Sequence, residues 1–424
     1  MMSKCSPKVT NRAFCMIVML VLLMFFFSMS ASAQTIDDNA PVLSRLRALA
    51  PNEAADLGGA RVLGEFNEVA RRFNLHRTGP RGRDYSIKMV WAPERKRALF
   101  AGANHGVPHR LNDVWEFDLG ALSWVLLYAP DHARSYLGLG KDASDVEYRD
   151  GVLLTRGGAP AVVGHTWWGL TYHSGMRRLL WMNVWVTDIE RVLTARGDDP
   201  VGRYKGLPLW SFDPATARWE LLRTTDPAPL GIFGGMLEYV DSLGDAIWHA
   251  NDWRMRATWV YNSASRRWKK LPANIENGDF QAQAPRPEQV GYYDPRRDLL
   301  VVQRGRSTHH FDVKRNTWTR VRNEPADSTE VPDGHDARTT FVHDPASGQG
   351  LLVDFRSSTV WAYDPDSHAW TTLAPAGDPM PTGKKRLAYF DPAHGVLVVI
   401  DGVRVWTYRP AAAGTQIHAM EKSG

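Results

Sequence analysis

Beyond residue 15 the chain contains no cysteine: its only two, Cys5 and Cys15, lie near the start of 424 residues. Disulfides, thiol nucleophiles and thiolate-held metals are therefore excluded from everything downstream. A surplus of one charge is also missing. The whole sequence carries 51 Lys+Arg against 46 Asp+Glu, and three of the cations, Lys4, Lys8 and Arg12, sit ahead of the apolar run Phe14–Phe27. Without those three the count is 48 against 46, about +2, which gives no electrostatic case for nucleic acid. Long apolar runs are absent after Phe27, and Phe14–Phe27 is itself short for a bilayer span. With the basic residues before it and Ala31-Ser32-Ala33 after it, this run reads as a signal peptide over residues 1–33. No cysteine follows to carry a lipid. The expectation is an exported protein, periplasmic or extracellular, that begins near Gln34 and keeps no membrane span. Gly-rich phosphate loops, serine nucleophile elbows and zinc-protease helices are missing too, and no cofactor motif is found.

What the sequence has in excess is tryptophan, 17 residues, and they are not scattered. NDVWEFDLGALSW (112–124), WSFDPATARW (210–219), WVYNSASRRW (259–268), HHFDVKRNTW (309–318) and WAYDPDSHAW (361–370) share one plan. An aromatic, a second aromatic two residues on, Asp or Asn, and then a Trp nine positions after the first aromatic recur each time. Two aromatics at spacing two share one face of a strand. Asp-Pro and its variants break that strand with a tight turn, because the Asp side chain bonds the backbone ahead and Pro presets φ. The phrase is a hairpin. A second hairpin precedes each copy, most clearly in GYYDPRRDLLVV (291–302), FVHDPASGQGLLVD (341–354) and AYFDPAHGVLVVI (388–400).

Two hairpins make a four-stranded antiparallel unit, and the closing tryptophans at 219, 268, 318 and 370 set a period of 49 to 52 residues. That is the period of a β-propeller blade. The last copy, WTYRP (406–410), lacks its outer strand, and RLRALAPN (45–52) matches WTTLAPAG (370–377), so this early segment is expected to supply it. The fold class is therefore all-β, a six-bladed propeller over residues 43–410. Residues 34–42 form a linker and 411–424 a tail. A seventh blade has one place to hide, between Trp124 and Trp219, but residues 125–164 offer only the hairpin candidate VEYRDGVLLTRGG. NDVWEFD…W, preceded by Phe100-Ala101-Gly102, resembles the kelch repeat and the central domain of the galactose oxidase family. The resemblance implies a scaffold and not that family's copper-radical chemistry, which requires a Cys–Tyr crosslink.

Both tight turns of every blade fall at one end, so the long connections gather on the opposite, decorated face, where a rigid scaffold carries function. His173, His343, His368 and His394 fall on the plain face and are expected to be solvated turn residues. A short helix is expected in EFNEVARRF (65–73). On the loop face His165, eight residues before the first turn of its blade, should stand at the channel mouth, with Arg286 and Asp336 at the same register. His105 and His109 lack a third ligand, so no metal is assigned. An acidic polysaccharide is the expected partner, cleaved by β-elimination. His165 or His249 would serve as base, Tyr204 as acid, and Arg254 and Arg338 as the clamp on the carboxylate. Asn104, His105, His109, Trp167, Trp253, Arg304, Arg306 and His335 would line the substrate path. A glycan-binding module, a protein-interaction scaffold and a sugar mutarotase are the alternatives. Trp168 is expected in the core. N-terminal sequencing of the exported protein should start near Gln34, and thiol titration of that form should find none.

Overall fold

The computed structural model describes residues 41–102, 111–131, 145–161, 164–182, 189–204, 206–222, 227–229, 234–250, 256–272, 274–276 and 288–411. Six antiparallel sheets form the ring. From the axis outwards, blade 1 contains Val90–Ala92, Arg97–Ala101, Val114–Asp118 and Ser123–Tyr128. Blade 2 contains Leu170–His173, Arg178–Met182, Leu209–Asp213 and Arg218–Leu222. Blade 3 runs Met236–Val240, Asp245–Ala250, Ala257–Asn262 and Arg267–Leu271, and blade 4 runs Val290–Asp294, Leu299–Arg304, Ser307–Asp312 and Thr317–Asn323. Blade 5 comprises Thr339–Asp344, Gln349–Asp354, Thr359–Asp364 and Ala369–Leu373. Blade 6 comprises Arg386–Asp391, Val396–Asp401, Arg404–Arg409 and, as its outer strand, Glu53–Gly59. The hairpin candidate between blades 1 and 2 is real, Val146–Arg149 paired with Val152–Thr155, but it stays a two-stranded sheet outside the ring.

Closure comes from the N-terminal side as expected, but from a different segment. Pro41–Ala48 is a helix that buries Leu43 and Leu46, and its Leu- and Ala-rich sequence favours that state. The strand follows it: Glu53, Ala54, Ala55 and Asp56 face Arg409, Tyr408, Thr407 and Trp406. Small residues with little strand propensity hid it. The same chain then crosses the seam, and Arg61–Gly64 adds a parallel fifth strand to blade 1. Blades 6 and 1 are thus laced by one continuous run. The helix expected in residues 65–73 is present as Glu68–Arg72, capped by Asn67, whose Oδ1 accepts from the Ala70 amide at 2.9 Å.

The repeated phrase explains how blades adhere. Each closing Trp of the phrase is buried. Three of those indoles bond to the preceding blade in the ring. Trp318 Nε1 donates to Thr258 Oγ1 and Trp370 Nε1 to Thr308 Oγ1, both at 3.0 Å, while Trp124 Nε1 reaches the Gly402 carbonyl at 3.3 Å. Thr258 and Thr308 each stand one residue before the first aromatic of their own phrase. Where that position is Val114 or Leu209, the indoles of Trp219 and Trp268 have no hydrogen-bond partner among the described residues. At the seams of Trp219, Trp268, Trp318 and Trp370 the residue at this position decides whether the indole is bonded.

The plain-face histidines depart from expectation. His173 is 1% exposed and its Nε2 lies 3.1 Å from Asp245 Oδ1 of the next blade. His343 lies against Tyr292, ring centroids 5.3 Å apart. The turns pack blade against blade, so their side chains are shared rather than solvated. Thr258→Val should leave the Trp318 indole buried without its acceptor and cost about 1–3 kcal/mol in urea unfolding; Thr308→Val should behave alike, whereas Val114→Ala should show only the loss of apolar contact.

Candidate functional site

Counting back eight residues from the first turn of each blade gives Asp84, His165 and Asp336 for blades 1, 2 and 5, a ring at the loop-face mouth of the channel. The structure gathers the neighbours of these positions. Tyr85 and His165 stack with centroids 5.1 Å apart and planes at 12°. Trp167 meets His165 edge-on at 5.3 Å, and His335 approaches Tyr85 at 5.9 Å. Of the residues picked from sequence, His165, Trp167 and His335 are thus brought together.

Tyr85 was missed because no copy of the tryptophan phrase marks the start of blade 1. The register count alone could have found it. Tyr85 sits in the turn Arg83–Ser86, whose ends exchange backbone hydrogen bonds. Behind it Arg83 grips buried Asp113 through two bonds of 2.8 and 2.6 Å, and Ser86 Oγ accepts from the Thr166 amide at 3.0 Å. Tyr85 and Trp167 have φ of +51° and +44°. Bulky residues seldom occupy that region, and strain of this kind gathers at functional sites.

His335 is held by its own backbone, since its amide donates to Thr339 Oγ1 at 2.8 Å. Its Nδ1 accepts from the Ala337 amide at 3.1 Å, which puts the proton of the neutral ring on Nε2. Beside it Asp336 is fully buried. Burial first, then Glu288, push its carboxyl well above the usual range, against lowering by the backbone amides of Gln289 and Asp336 itself; Asp84 adds the smallest push upward. The mouth thus has beside it a carboxyl whose protonated form is favoured by burial. Glu288 is half-buried and Asp84 exposed.

Lys88 of blade 1 crosses to blade 3, donating to the Leu237 carbonyl at 2.9 Å and pairing with Glu238, and its ammonium lies 5.5 Å from the Trp168 ring. Trp168 is in the core as expected, its Nε1 bonded to the Gly291 carbonyl at 2.7 Å. Burial pushes Glu238 up to about 7, against the lowering effect of Lys88. The pair thus ties together two blades that are not neighbours in the ring.

The remaining sequence candidates sit elsewhere. His249 is 1% exposed, bonded through Nδ1 to Thr258 Oγ1 at 2.9 Å and packed 4.4 Å from Trp318. Burial first, and then Arg304 and Arg256, hold its imidazole well below the usual range, hence neutral. Arg304 is also buried and donates to Gln289 Oε1 at 2.9 Å. Arg338 pairs with Asp333 at 2.7 Å, and Arg306 ties the carbonyls of Ala326 and Val331 into the loop after blade 4. Tyr204 packs against the apolar clusters of blades 2 and 3, with its amide on the Gly151 carbonyl at 2.8 Å. These five side chains are built into the walls. Asn104, His105, His109, Trp253, Arg254 and Arg286 lie outside the described residues. Among the described residues no group of three or more His, Cys, Asp or Glu could hold a metal ion. No protein-family model matches the chain, and no curated protein matches it.

The buried acid carries a signed consequence. Because its folded pKa is raised above the unfolded 3.8, the folded state loses stability as pH climbs from about 4 towards the folded value. Asp336→Asn should therefore raise the urea midpoint above wild type at pH 7, with the difference vanishing below about pH 4.

Proposed function

We propose that the loop-face mouth is a carbohydrate site that performs proton transfer on an acidic glycan, cleaving it by β-elimination. The observation that carries this reading is the Tyr85–His165 stack, held by two residues at positive φ and flanked by Trp167 and His335. In β-elimination the proton α to the uronate carboxylate leaves, its electron pair forms the C4–C5 double bond, and the C4–oxygen bond breaks as that oxygen takes a proton. The two atoms served are neighbours, so a base and an acid on one side of the ring suffice. His165 is the base and Tyr85 the acid. Trp167 offers an apolar surface to a sugar ring. Burial favours the protonated form of Asp336, and in that form it adds no charge to repel the uronate as negative charge develops.

Arg254 and Arg338, the clamp expected from sequence, are not needed in this version, because Arg338 is committed to Asp333. The acidic surroundings supply a specific reason for a second reading. Asp336, its carboxyl pushed upward by burial, and the neighbouring Glu288 and Asp84 offer the acid and base that a sugar mutarotase needs at an anomeric carbon. The kelch resemblance of the repeated phrase supports the scaffold alone. Export is part of the proposal and rests on the basic, apolar and small-residue order of residues 1–33.

The test is ultraviolet absorbance of the protein with a panel of uronic-acid polysaccharides, neutral glycans serving as controls. An unsaturated product is expected, with kcat lowered about 10²–10⁴-fold in Tyr85→Phe and in His165→Ala. A flat trace with a faster change in optical rotation of free sugars would replace the lyase by the mutarotase. Neither signal, with retardation in a gel containing one glycan, would leave a binding module.

A further inference from the structure

At the seam between blades 6 and 1 a cleft of about 560 Å³ opens on the loop face. One wall is Arg77 and Arg81, on the chain that leads into blade 1, and the other is Lys384 and Lys385, on the chain that leads into blade 6. The turn between the second and third strands of blade 6 adds Asp401 and Arg404. Arg404 is engaged by Asp56 at 2.6 Å. The other four cations are exposed, and among the described residues their side chains make no ion pair or hydrogen bond.

Like charges separate unless something holds them, and here the backbone does. The Gly82 amide donates to the Lys385 carbonyl at 2.9 Å, and a Cβ on Gly82 would lie 2.5 Å from the Arg386 carbonyl oxygen. The two walls are thus fixed at a distance only glycine permits. Four unpaired cations around a concavity of ligand size form an anion receptor, with arginine forks suited to carboxylate or sulfate. Among the described residues no aromatic side chain lines the cleft, so stacked bases find no platform, and Val403 gives too little apolar surface for a lipid. Arg81 stands four residues before Tyr85, so at most about 14 Å of chain separates the cleft from the mouth.

We propose that this cleft is an anion subsite that holds carboxylate or sulfate groups of a polyanionic glycan whose reacting unit lies at the mouth. The path from mouth to cleft rests on the carbohydrate reading above; anion binding in the cleft does not. The experiment is calorimetric titration of the full exported chain with a hexameric oligogalacturonate and its methyl ester, which has the same shape without the charge. Lys384→Gln/Lys385→Gln should weaken the charged hexamer about tenfold, flatten its salt dependence, and leave the melting temperature and methyl-ester binding unchanged. Equal affinity in wild type and the double variant would overturn the proposal. So would a thymidine oligonucleotide of equal charge that binds wild type as tightly as the hexamer does. Running the titration in His165→Ala separates the two readings: retained affinity without turnover supports the subsite even if the lyase assay is flat.

Discussion

Everything in this molecule hangs on the seating of an indole between adjacent blades. A propeller blade is a twisted sheet with two apolar faces and cannot bury both by itself. The closing Trp, nine residues after the first aromatic of each phrase, fills the gap to the preceding blade. In three of the six seams it also delivers a hydrogen bond across the gap. The packing is non-directional and would tolerate sliding. The indole N–H is directional, and where Thr258 or Thr308 waits for it the seam has one register. The mouth inherits its geometry from this, because Tyr85, His165 and His335 come from three different blades and meet only if each blade is set at the correct angle.

The ring was legible because its signals are local. Aromatics at spacing two, Asp-Pro turns and a period near 50 residues are written side by side in the chain. The strand Glu53–Gly59 was not legible, because EAADLGG has no alternation of apolar and polar residues and takes its place only through its partner Arg404–Arg409. Leu46 and Leu49 looked like strand residues by analogy with Trp370 and Leu373, while helix propensity and the burial of Leu43 and Leu46 carried the segment the other way. At the site His165 and His335 stood out as polar residues in strand-start positions. Tyr85 did not, since its importance comes from a turn locked by Arg83 and Asp113, a contact invisible at thirty residues' separation. His249 and Arg304 looked like exposed chemistry for the opposite reason: nothing in a sequence says that a loop-end residue is sealed beneath its neighbours.

Electrostatics divides the axis into layers with different tasks. One layer is the Lys88–Glu238 pair, removed from water and joining blades not adjacent in the ring. Elsewhere burial first, and then Glu288, push the Asp336 carboxyl upward. To one side His249 and His309 are kept neutral, first by burial and then by Arg304. Each arrangement removes a titratable group from water, and that desolvation subtracts from stability. Natural folds keep such groups where they serve a purpose. The surface near the mouth has the opposite character, with cations held together in water rather than neutralised in the core.

The lacing of blades 6 and 1 has a consequence for the order in which the molecule comes into being. Ala54 pairs with Tyr408, and they are 354 residues apart in the chain. Blades 2 to 5 consist of consecutive strands and can form as the polypeptide lengthens. Residues 53–64 are made first but have no blade 6 partner until Arg404–Arg409 exists. Joining ends so distant is entropically costly and slow, so ring closure is the last step of folding. Until then the outermost edge of the final blade is an open strand ready to pair with another molecule. The earliest stretch of the fold is thus the last to be used, and its small, weakly strand-forming residues keep it from finding a wrong partner during the wait.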